Sequence, residues 1–263
     1  MRVLALELAA RTRVSLMWWV VGTLALAAYV VGVYDTIGSL EELSRLYEAY
    51  PPAIRKLVGE VDIGTLDGWI QVEFMSWFPL ILAVYAGIFA ASSASREVEQ
   101  RTVDFLMGLP VSRWQFVASR LAVGLGNMLL LCVAVFVLLV AEAAGVGHAP
   151  SPDRYALALT NGLLLGAVLL AAYMALAVII DEQARVTGIT LGATLVLYVA
   201  TAALKTADAP EVLRWFLPFE HYHAAEAMTG QGLPILPLVL LSSAAVAAAA
   251  AAFYWYSRRD IVI

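Results

Sequence analysis

Six uncharged stretches, at residues 14–33, 74–94, 121–141, 155–180, 186–204 and 232–257, occupy most of this chain. Each meets or comes close to the roughly 20 apolar residues that a helix needs to cross a bilayer. In hydrocarbon, backbone N–H and C=O groups must be paired internally, which leaves helices and closed barrels as spanning forms. The in-out alternation of a barrel strand is missing from all six. The prediction is an all-α polytopic membrane protein with six spans, at about 14–34, 72–95, 114–142, 155–180, 186–205 and 233–257. With 62% hydrophobic and 14% charged residues among 263, the chain departs from soluble composition in the same direction, since soluble domains carry about a quarter charged residues.

The first run follows Arg2, Arg11 and Arg13 and contains Ala25-Leu26-Ala27, which looks like a signal-peptide cleavage site. It is about twice the length of a signal core and five further spans follow, so it reads as a retained helix. Orientation follows the basic residues. With the N-terminus inside, ten fall on the cytoplasmic side (Arg2, Arg11, Arg13, Arg96, Arg101, Arg113, Arg120, Arg185, Arg258, Arg259) and six opposite (Arg45, Arg55, Lys56, Arg154, Lys205, Arg214). Both termini are therefore expected in the cytoplasm, with the cell membrane as location and lipid as surroundings. The net charge of −5 comes mainly from acids in the outer loops and points to no nucleic-acid partner. Cys132 is the single cysteine and lies mid-span, so no internal disulfide is possible.

Residues 2–13 mix Val3, Leu4 and Leu8 with Glu7, Arg11 and Arg13, the pattern of a short helix lying on the inner face before the chain turns into the membrane. Between the first two spans, Leu40, Leu43, Leu46, Tyr47, Tyr50, Ile54 and Leu57 recur at helical steps among Glu41, Glu42, Arg45 and Glu48, and Pro51-Pro52 breaks the pattern. The outer stretch 206–234 carries Trp215, Phe216, Phe219 and Tyr222 with Pro210 and Pro218, and reads either as an interfacial belt or as a re-entrant segment. No repeat or long linker intervenes, so 1–263 is one domain.

The charged stretch 96–120, REVEQRTVDFLMGLPVSRWQFVASR, carries the functional signal. Val98, Thr102, Phe105, Leu106 and Leu109 share a helical face, with Glu97, Arg101 and Asp104 on the others. Gly108 and Pro110 end that helix, and Ser112 with Gln115 reads as a capping box opening the third span. Helix, corner and new span together make a rigid handle for a soluble partner; a plain solvated loop is the alternative.

The stretch resembles the signature of ABC-2 type transporter permeases, through Glu97, Glu99, Thr102, Asp104, Phe105, Leu106, Leu109, Pro110, Val111, Ser112 and Arg113. The resemblance extends over the chain, including Tyr50-Pro51-Pro52, Gly68 and the Arg258-Arg259-Asp260-Ile261 tail. Arg101 and Arg120 stand where glycine and lysine are common in that family. The resemblance implies an exporter half in which two permease chains, expected here as a homodimer, form the pathway. Two separate ATPase subunits bind ATP and Mg and drive it through a coupling helix. Glu97, Glu99, Arg101, Thr102, Asp104, Phe105, Leu106, Leu109, Pro110 and Arg113 are the expected coupling residues. Tyr85, Phe89, Thr194 and Tyr198 are the expected pathway lining. The chain has no phosphate-loop motif of its own, so it is expected to be a permease and not an enzyme, with no cofactor or metal. A membrane-embedded enzyme or a passive scaffold are the other readings.

Isolated polar residues have plainer readings. Glu73, Glu142 and Lys205 sit near span ends, where long side chains reach the interface. His221-x-His223 with Glu226 has a faint metal-ligand look, but residues two apart on a helix diverge. Gly162/Gly166 and Gly188/Gly192 have the spacing of close helix contacts, within the chain or between copies. The scarcity of fixed charge favours amphipathic or hydrophobic cargo.

Overall fold

The structure, a computed structural model, describes residues 2–36, 45, 49, 51, 63–95, 112–147, 151–207 and 210–258. The outer amphipathic stretch expected at 40–57 lies outside these apart from Arg45, Ala49 and Pro51. The described residues are helical throughout their long elements, with no strand among them, and six helical spans are long and apolar enough to cross a membrane.

The first helix, α1 (Arg2–Thr36), is continuous. The N-terminal amphipathic stretch does not turn separately along a membrane face. No Gly or Pro interrupts residues 2–21, and Arg11 pairs with Glu7 one turn back, so helical hydrogen bonding runs through the junction. At about 1.5 Å per residue its length is roughly 50 Å, more than a bilayer core requires.

The second span is built in pieces: α2 (Leu66–Ile70), a π-helical turn (Gln71–Met75), α3 (Phe78–Ala90) and a second π-helical turn (Ala91–Ser95). Pro79 explains the first break. It has no N–H to donate to the Met75 carbonyl four residues back, and Ser76 N–H bonds to Gln71 O in the wider register. Leu80 N–H then bonds to Trp77 O, so the Ser76 carbonyl also loses its helical donor. Two tyrosines supply replacements. Tyr222 O–H donates to Met75 O at 2.9 Å and Tyr198 O–H to Ser76 O at 3.4 Å. Buried carbonyls without partners are costly in an apolar setting, which is why the break draws these side chains.

The remaining long helices are α4 (Arg113–Gly145), α5 (Pro152–Ala177), α6 (Gln183–Thr206) and α9 (Ile235–Arg258). Short turns α7 (Glu211–Arg214), a 3-10 turn (Pro218–His221) and α8 (Ala224–Met228) join the last two. The core lies around α3 and α5. α5 packs on α9, α3, α4 and α8, while α1 lies mainly on α4. The glycines of α5 allow this: a Cβ at Gly166 would sit 3.1 Å from Met128 Cε, and one at Gly162 3.3 Å from Phe78. Gly188 and Gly192 have nothing within 4 Å, so their face of α6 is uncovered in the protomer.

Candidate functional site at the helical corner

Three helices meet where the second span ends and the third begins. Of the expected coupling residues, Glu97, Glu99, Arg101, Thr102, Asp104, Phe105, Leu106, Leu109 and Pro110 lie outside the described residues; Arg113 is described. The two roots of that segment are therefore visible: the π-helical turn ending at Ser95 and the N-cap of α4 at Ser112. The capping box forms, with Ser112 N–H donating to Gln115 Oε1 at 3.2 Å.

Arg120, two turns into α4, joins the roots. It is 3% exposed. Its Nε donates to Ser93 O at 2.7 Å and its Nη1 to Phe116 O at 3.0 Å. The guanidinium also lies 3.2 Å from the centroid of the Phe116 ring. A planar, permanently charged fork suits this duty, because it offers several donors in fixed directions while its face rests on an aromatic. Ser93 lies within the π-helical turn at 91–95, so the Arg120 bond anchors that turn to α4. In the sequence Arg120 stands out only as a cytoplasmic basic residue just ahead of the uncharged run 121–141 and as a departure from a family pattern; nothing there marks it as buried.

Arg113 reaches the far end of the chain, donating from Nη1 to Ser257 O at 3.1 Å and Tyr256 O at 3.5 Å. These carbonyls lie in the last turn of α9, where a cation complements the helix dipole. Beneath it, the Phe116 and Tyr256 rings stack at 4.8 Å with planes 8° apart. Spans two, three and six are thus fastened together at one corner, from which residues 96–111 depart and return.

Polar side chains fasten the opposite end, and two of them, Asp67 and Asn161, carry no motif in the sequence. Asp67 accepts from Tyr155 O–H at 2.7 Å and Ser151 O–H at 2.8 Å, and lies 3.5 Å from Arg154, which also donates to Met228 O. Asn161, 1% exposed on α5, holds the 218–228 segment from both sides: its Oδ1 accepts from His223 N–H at 2.7 Å and its amide donates to His221 O at 3.3 Å. An asparagine inside an apolar span is the signal that could have found it. Lys205 and Arg214 both pair with Glu220, at 3.5 and 3.2 Å. The two histidines diverge: His221 Nε2 faces Trp215 O, whereas His223 Nδ1 faces Glu226 at 2.9 Å. Burial opposes ionisation of Glu226, but the His223 bond, its own backbone and the His223 and Lys205 charges outweigh it and hold the carboxyl below the ordinary range.

The four expected lining residues are all buried in the protomer, and they form two groups. Tyr85 stacks on Phe89, accepts from Asn127 Nδ2 at 2.9 Å and meets Trp19 of α1 edge-on at 5.7 Å. Thr194 is hydrogen-bonded to Tyr173 of α5, and Tyr198 reaches the break at Ser76. Gly87, two residues from Tyr85 and so on the far face of α3, is the position that touches α6 at Thr190. In the single chain the four residues do not share a wall.

The family described as "Multidrug efflux system permease Rv1217c, C-terminal domain" matches residues 4–256. No curated protein matches the chain. The match takes in all six spans, the corner and the polar fastening opposite it, and on that footing this chain belongs to the multidrug efflux permease family.

Proposed function

We propose that the chain is the membrane subunit of an ATP-driven exporter of the ABC-2 type. Two copies form the pathway, and two separate ATPase subunits bind ATP and Mg and act on the 96–113 segment from the cytoplasm. The observation that carries this reading is the corner. A loop without mechanical duty needs no buried arginine at its base, yet Arg120 ties the Ser93 and Phe116 carbonyls together beneath it. A push on residues 96–111 would be delivered to spans two, three and six as one unit, through Arg120, Arg113 and the Phe116–Tyr256 stack. Glu97 and Glu99 are the acidic groups offered to a basic partner surface. Membership of an efflux permease family supports the direction of transport.

The test is purification of the tagged chain from its native membrane. A soluble ATPase should come with it in equal number, and Glu97→Lys with Glu99→Lys should lose that partner while remaining inserted and folded. Normal export by the double variant, or export with no nucleotide-hydrolysing companion, would overturn the proposal and leave a scaffold or a membrane enzyme as the reading.

A further inference from the structure

One cavity opens on the side of the bundle where α1 passes α3, with a volume of about 400 Å³ and lining that includes Trp18, Trp19, Gly22, Thr23 and Leu26 of α1 and Ile81 of α3. Its size lies within the roughly 300–1,000 Å³ of small-molecule pockets, and its wall is aromatic and apolar in the same way. Three features separate it from an ordinary lipid-facing helix surface.

Thr23 is 4% exposed, and its hydroxyl makes no hydrogen bond among the described residues. The other threonines of α1 bond back to their own helix, Thr12 to Leu8 O and Thr36 to Val33 O. Thr23 thus keeps a free donor at the cavity wall, where the apolar surroundings make an unpaired hydroxyl costly. Gly22 gives the second feature. Glycines used for packing in this protein have a neighbour close by, as Gly87 and Gly124 do, but a Cβ at Gly22 would meet nothing within 4 Å. Its lack of a side chain serves to open the cavity. Third, the wall is braced from behind: Trp19 rests edge-on against Tyr85, which Asn127 of α4 holds at 2.9 Å.

We propose that this cavity binds a flat, uncharged, drug-sized aromatic molecule that presents a hydrogen-bond acceptor to Thr23. Among the described residues no ionisable side chain lines the site, so the proposed ligand needs no charge. The indoles of Trp18 and Trp19 supply ring contacts, and the cavity opens at the outer surface of the protomer, where a molecule dissolved in the bilayer can enter. Ser15 at one end stands two residues from Arg13 and Leu26 lies about 16 Å further along the helix. The cavity therefore runs from the end of the bundle that holds the corner toward its middle. With the corner in the cytoplasm, as proposed above, this is the inner half of the membrane, and the site serves as the loading position for efflux. Only that last step rests on the exporter reading.

The experiment uses the full chain in lipid nanodiscs, without ATPase or nucleotide, and Nile red as probe, a flat uncharged dye with a ring carbonyl. Energy transfer from protein tryptophan to the dye should show a saturable component above that of empty discs. Gly22→Leu, which fills the cavity and suits a helix better than glycine, should abolish that component with thermal unfolding unchanged or raised. Thr23→Val keeps the shape and removes the donor; binding should weaken roughly 2- to 12-fold, and emission of the bound dye should shift to the blue. Equal saturable transfer in the Gly22→Leu variant overturns the site. So does a Gly22→Leu variant that only changes the oligomeric state, which would make the cavity a contact between copies. A tightly retained phospholipid in native mass spectrometry, lost in the variant while Nile red never binds, would assign the cavity to lipid and overturn it too. Because no ATPase is present, failure here leaves the co-purification test of the exporter reading untouched.

Discussion

Asn161 shows how one residue can hold a segment that has little regular structure of its own. The 218–228 turns are short, and side chains from elsewhere add to their own backbone bonds: Asn161 at His221 and His223, Arg154 at Met228. The His223–Glu226 pair adds a pH-dependent contribution. Because the Glu226 carboxyl is held below its ordinary range, its stabilisation is complete above the unfolded-state value and is lost as pH falls through the lowered native one. In detergent, the melting temperature of the wild type should therefore fall more steeply than that of Glu226→Gln as the solution is acidified from pH 6 to about 3.5. Parallel acid limbs would show that the pair contributes nothing. Asn161, Asp67 and Tyr222 were not legible as fastening points, because each meets a partner 60 or more residues away and looks like an isolated polar residue in an apolar text.

At the scale of the helices, the hydrophobic runs found all six spans; the first starts about twelve residues earlier than expected, and the starts and ends of the others lie within about six residues. The second span begins at Leu66, ahead of the expected 72, because Asp67 and Glu73 interrupt the uncharged run yet sit within helical turns, with Asp67 stabilised by Tyr155 and Ser151. The break at Pro79 was hidden because a proline near a span start is ordinary; the replacement donors come from residues 198 and 222. The two glycine pairs looked alike in sequence and differ in structure. Gly166→Leu would force a branched side chain against Met128 and Leu82 in the α4–α5–α3 core, costing about 1–3 kcal/mol. Gly188→Leu meets open space and should leave protomer melting unchanged. A thermal-shift comparison of the two variants tests this directly, and a Gly188→Leu variant that shifts only the oligomeric state would locate α6 at a contact between copies.

Taken whole, the protein is a bundle fastened at both ends by different chemistry. Carboxylate and amide contacts dominate one end, with Arg154 on Met228 O beside them, and the Arg113 and Arg120 bonds to carbonyls close the other. If the corner is cytoplasmic, the two ends should be distinguishable by reagent access. With Cys132 replaced by Ala, a cysteine at exposed position Asp153 should react with a membrane-impermeant maleimide on intact cells, and one at exposed position Ser257 only after permeabilisation. The reverse pattern would invert the topology and remove the corner from the reach of ATP. The corner also has an order of assembly written into it. Arg113 is held by carbonyls 143 and 144 residues downstream, and Phe116 rests on Tyr256. During synthesis these contacts become available only when the final helix has left the ribosome and inserted. A chain clipped before residue 256 therefore lacks the contacts that hold Arg113 and Phe116, and the corner loses its tie to α9.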